Sequence, residues 1–129
     1  MKKLKQYYTG NANALEVLGL LMPNVYLWVE VDDQETSDCP PEHCWARLFL
    51  SVPVGKHLMV EAKSIWAMIE TPDDSEGIRW HVLQQLLPSA IRRCLRYTQP
   101  LGQHSYRQLR RRLRRLLRTV RCAAAETNV

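Results

Sequence analysis

From Gly77 to Ala125 the chain has no acidic residue, and its arginine-rich stretch has no lysine either. Other absences narrow the field of functions. Five scattered glycines exclude a glycine-rich phosphate loop, and no Gly-x-Ser-x-Gly elbow is present for nucleophilic catalysis. The longest apolar run, "ALEVLGLLM", is about half of what a membrane span needs. Cys39, Cys44, Cys94 and Cys122 are too few for a disulfide scaffold, so the sequence reads as an intracellular protein held in a reducing compartment.

What is present suits a single domain, residues 1–129. An apolar content of 46% and four tryptophans are enough for a core without metal or disulfide staples. The basic front of "MKKLKQYYTGNANALEVLGLLMPN" resembles a signal peptide only superficially. Its apolar part reads as a capped amphipathic helix, and no small-x-small site follows. The formal charge of +5 conceals a polar distribution: Glu16 to Glu76 carries twelve acids against three bases, whereas Gly77 to Ala125 carries twelve arginines. Asymmetry of this kind concerns partners or self-neutralisation rather than fold.

Local patterns give an order of elements. Asn13 with Glu16 three residues on predicts a capped helix over residues 14–22 that Pro23 ends. Val25 to Asp32 alternates as a strand with Val25, Leu27, Val29 and Val31 on one face. "WARLFLSVPV" is a second strand with Ala46, Leu48, Leu50 and Val52 inward, and Gly55-Lys56 is a turn. Residues 58–70 suit a strand better than a helix, because Leu58, Val60 and Ala62 then oppose Val52, Leu50 and Leu48. The acidic "TPDDSEG" supplies a cap region for a helix over residues 78–97, which Pro88 kinks or divides. The expected fold class is α+β, in the order α-β-β-β-α-α. A three-stranded antiparallel sheet has its helices on one side. Residues 13–97 form the scaffold, and a basic, amphipathic C-terminal helix spans residues 103–125.

That order resembles the double-stranded RNA-binding domain, which grips phosphate with lysines at the start of its second helix. Here the corresponding stretch, "PDDSEGIRW", repels phosphate, so the resemblance ends at the order of elements. Glu61-Ala62-Lys63 resembles the Glu-x-Lys element of restriction-endonuclease-like cores. That resemblance implies Mg²⁺ held by Glu61 with Glu42 or Asp38, Glu16 assisting, and Lys63 polarising water or phosphate. Composition alone supplies about 0.5 such acid-x-lysine pairs. Cys39, His43 and Cys44 in "CPPEHC" are candidate zinc ligands, with Cys94, Cys122, His57 or His81 to complete a tetrahedron. The spacing departs from that of a zinc finger, and neither zinc nor magnesium is the leading expectation.

The leading feature is "YRQLRRRLRRLLRTVRC", in which eight of seventeen residues are arginine. Leu109, Leu113, Leu116 and Val120 make a seam at helical spacing, to pack on the domain or on a second copy as a homodimer. The remaining positions present guanidinium groups, which bind phosphate bidentately and stack on bases. The expectation is a non-enzymatic regulatory protein binding nucleic acid, RNA before DNA. The contacts are assigned to Arg107, Arg110, Arg111, Arg114, Arg115 and Arg118, extended by Arg92, Arg93 and Arg96. Arginine runs also act as nuclear or nucleolar address signals. The alternative is an adaptor, of the kind viruses encode against host factors. Its basic helix docks an acidic protein, with Trp28, Trp45 and Trp66 as surface anchors or core residues. The thin apolar face of the helix argues against a membrane surface.

Overall fold

The computed structural model describes residues 4–7, 22, 24–32, 39–72 and 78–127. Its elements are β1 (Leu4–Tyr7), β2 (Tyr26–Asp32), β3 (His43–Val54), β4 (Leu58–Lys63), β5 (Ala67–Glu70), α1 (Trp80–Thr98) and α2 (Gln103–Thr127). The fold is α+β, with an antiparallel sheet and two helices. The helix expected over residues 14–22 falls outside the described residues except for Met22, which is buried in a bend.

The sheet is four strands across, in the order β1-β2-β3-β4, and β5 shares with β4 the same edge of β3. Two differences from the three-strand expectation have physical causes. The lysine-flanked Leu4–Tyr7 pairs with β2 in the register Leu4↔Asp32, which no local hydrophobic pattern announces. The single strand expected over residues 58–70 breaks at Ser64–Trp66. The Ser64 backbone donates to Leu48 O (2.7 Å) while its hydroxyl accepts from Leu48 N (2.8 Å). Ile65 N donates to Ser89 Oγ on α1 (3.1 Å), so the break is hydrogen-bonded on both sides.

Alternation along the strands sends one face into the core. Cross-strand pairs Leu27↔Leu50, Val29↔Leu48, Val31↔Ala46, Val52↔Val60 and Cys44↔Ile69 are all buried. The β3–β4 register differs from the expected one by two residues. Val54 opposes Leu58 across a three-residue turn in which Gly55 takes φ +70°. A slip of two preserves the inward face, whereas a slip of one would have exposed it. Its cost falls on Leu58, left 46% exposed.

β2 pairing ends at Tyr26↔Ser51, so beyond Ser51 one edge of β3 is open. Pro53 occupies that stretch, where its missing N–H costs no ladder hydrogen bond. Its carbonyl accepts instead from Arg112 Nη1 of α2 at 2.8 Å.

Helix α1 runs through Pro88 as one element and starts at Trp80, with Arg79 rather than an acid at its N-cap. Leu83, Leu86, Leu87, Ala90 and Cys94 face the core. Gln99–Gly102 then turns the chain back, and α2 packs against α1 and β3. Leu109, Leu113, Leu116 and Val120 are each at most 1% exposed, in the same core as the sheet. The seam is therefore occupied within the chain. A homodimer through these four residues would require α2 to leave its own domain.

Gly102, at φ 103° and ψ 162°, sits in a region essentially restricted to glycine, and a Cβ there would meet nothing within 4 Å. Gly102→Ala should therefore lower stability by about 1–3 kcal/mol through backbone torsion alone. Urea unfolding monitored by tryptophan fluorescence measures the loss.

Candidate nucleic-acid interface

Burying the seam decides where the arginines go. At about 100° per residue, Arg107, Arg111, Arg114, Arg118 and Arg121 follow a 4-3-4-3 spacing, forming a stripe along the outer flank of α2 with Arg110 beside it. At about 1.5 Å per residue the stripe is ~21 Å long. All six are exposed. Arg112 and Arg115 fall on the other flank, toward the open end of the sheet. Among the described residues, none of these eight arginines has a carboxylate partner. Arg47 Nε pairs with Glu30 Oε2 at 2.9 Å on the face of the sheet away from the helices.

The α1 arginines divide. Arg92 and Arg96 are exposed one turn apart. Arg93 is half-buried and donates through Nη1 to Lys63 O on β4 at 3.0 Å, which ties it to the sheet edge.

The flank carrying Arg112 and Arg115 borders a cleft of about 520 Å³. Lys56, Tyr26, Met59, Asn24 and Gly55 line it from the sheet end. Neither this group nor Arg112 and Arg121 is among the contacts assigned from the sequence. The signals were present: Tyr26 alternates outward on its strand, and Gly55-Lys56 is the turn that brings an ammonium opposite the helix.

The face of the sheet away from the helices is aromatic. Trp28 stacks on Phe49 with centroids 4.9 Å apart and planes 10° apart. Lys63 Nζ lies 4.8 Å from the Phe49 centroid, and Arg47 lies 4.5 Å from that of Trp66. Trp28, Trp45 and Trp66 are half-buried there, outside the buried core. Trp28 Nε1 is buried and has no hydrogen-bond partner among the described residues.

Among the described residues the two metal constellations do not assemble. Glu61 pairs with Ser51 and Glu42 precedes His43, nine residues along β3, ~30 Å at about 3.3 Å per residue. No shared Mg²⁺ can bridge that separation, and Lys63 is engaged with Phe49. Glu16 and Asp38 lie outside the described residues. His43 and Cys44 are adjacent on a strand and point to opposite faces: Cys44 is buried, while His43 is exposed with Nδ1 3.0 Å from Pro41 O. Glu42 itself has φ 66° in the turn closed by His43 N to Pro40 O at 3.2 Å. Among the described residues no three metal-ligating side chains cluster, and no helix is long and apolar enough to cross a membrane. Compared with known proteins, the chain matches no family model, no curated protein and no solved structure.

Cys94 is fully buried on α1, and burial pushes its thiol from 9.0 up to about 12. Between pH 9 and about 12 the native state keeps a proton that the unfolded chain has lost. Stability should be full below that window and fall within it by at most about 1.4 kcal/mol per pH unit. Cys94→Ala should remove this slope, measured as the difference between the two proteins' urea midpoints at pH 8 and pH 10.5.

Proposed function

We propose that this protein binds nucleic acid, RNA in preference to DNA, through the outer flank of α2. One observation carries the reading: six exposed guanidinium groups stand along one side of a helix whose apolar seam is fully occupied, and none has a carboxylate partner among the described residues. A solvated structural helix ordinarily mixes signs, because like charges three or four residues apart repel by a few tenths of a kcal/mol each. Arginine rather than lysine favours phosphate, which it engages bidentately. An isolated arginine helix without a base-reading DNA motif suits RNA, whose irregular and single-stranded elements admit such a helix. Arg107, Arg110, Arg111, Arg114 and Arg118 supply the principal phosphate contacts. Arg121 joins them, Arg92 and Arg96 are auxiliary, and Arg93 contributes little while tied to Lys63 O.

Fluorescence anisotropy with short RNA and DNA duplexes at two salt concentrations tests this. Six phosphate contacts give a log–log salt slope of roughly −4 to −5.5. The triple variant Arg111→Glu, Arg114→Glu, Arg118→Glu should lose at least about 100-fold in affinity and flatten the slope. These side chains are exposed, so its fold should persist by circular dichroism. Absence of binding by the native protein at low salt overturns the reading, and binding to an acidic protein instead would favour the adaptor alternative.

A further inference from the structure

The cleft between α2 and the open end of the sheet is unlike the arginine stripe. It is concave, it has two apolar side chains within reach of solvent, and its cations stand on more than one wall. Tyr26 on β2 is 57% exposed and Met59 on β4 is 39% exposed, both at outward positions that alternate with the buried Leu27 and Val60. Lys56 comes from the β3–β4 turn, and Arg112 and Arg115 come from α2. Among the described residues, no carboxylate lines the cleft. The nearest acid of β4, Glu61, is two residues beyond Met59.

Three local features keep the space open. Gly55 has no Cβ and holds φ +70°, so the turn leaves room where a side chain would stand. Asn24, at φ 73°, turns the chain into β2 in a conformation that asparagine tolerates. Arg112 is fixed by its hydrogen bond to Pro53 O, which orients a guanidinium that still has other N–H donors free. A volume of about 520 Å³ lies within the range of small-ligand sites, and its composition of an aromatic face, a thioether and three cations fits a flat ring bearing phosphate.

We infer that this cleft receives one unpaired nucleotide of the RNA that α2 binds. The base packs against Tyr26 and Met59, and its flanking phosphates meet Lys56 and Arg115. The inference rests on the proposed function and deepens it, because it assigns to the protein a preference for bulged or single-stranded positions. The stripe alone would hold any phosphate backbone. A paired base already has both faces stacked and its edge engaged, so only an extruded one offers a free ring to Tyr26.

The test uses the full chain and two hairpin RNAs of equal length, one perfectly paired and one with a single-nucleotide bulge of 2-aminopurine. The native protein should prefer the bulged RNA by about tenfold, the lower part of the range for one stacked base, and should change the fluorescence of the bulge. Tyr26→Ala should abolish the preference and the fluorescence change while leaving affinity for the paired hairpin as it was. Tyr26→Phe should retain both, because the ring remains. Arg114→Ala, on the stripe and outside the cleft, should weaken both RNAs equally. Equal native binding to the two RNAs, or a preference that survives Tyr26→Ala, overturns the cleft inference and leaves the proposed function standing. Failure to bind either RNA at low salt overturns both.

Discussion

Everything distinctive about this molecule follows from the burial of one leucine seam. Leu109, Leu113, Leu116 and Val120 together stabilise the docked helix by roughly 6–12 kcal/mol, taking about 1.5–3 kcal/mol for each fully buried side chain. Against this stand nine arginine pairs spaced three or four residues apart, worth about a third of a kcal/mol each, so ~3 kcal/mol in total. Burial wins by a clear margin. The helix therefore forms and docks despite its charge, and docking fixes which arginines look outward and which look toward the sheet. Without the seam the same residues would be a diffuse cationic tail with no sides.

The two arginine groups differ in their surroundings. Under the proposed reading, the outer stripe is repetitive and would meet a periodic polyanion whatever its sequence. Arg112 and Arg115 are held against the sheet end, where Lys56 and the exposed rim of the core add shape and an aromatic surface. The distinction comes from a rotation of about 100° around one helix, and it appears only once the seam has chosen its direction.

Much of the fold was legible in the sequence because alternation is a strong signal. Val29, Val31, Leu48 and Leu50 read as one inward face, and all are buried. The leucine spacing of α2 was equally plain. Register was not, since a two-residue slip between β3 and β4 keeps every face and is decided by how tightly Gly55 lets the chain turn. β1 and the break at Ser64 were also hidden. The first depends on a partner far along the chain, and the second on hydrogen bonds that the Ser64 and Ser89 hydroxyls accept from Leu48 N and Ile65 N, which carry no periodicity. On α2 the sequence pattern showed the run of arginines but not their division between two flanks, and it grouped Cys39, His43 and Cys44 by proximity alone. Adjacent strand positions face apart, so nearness in the chain there meant separation in space.

The twelve-residue strand β3 has a consequence for how the molecule opens. It is bonded to β2 along one edge and to β4 and β5 along the other, and α1 is pinned at the junction through Ser89. No segment of its middle can detach without breaking ladders on both sides at once. Amide exchange at Ala46 to Leu50 must therefore proceed through global rather than local unfolding. The rigid axis of the protein is this central strand, and the charged helix is carried by it as an outer layer.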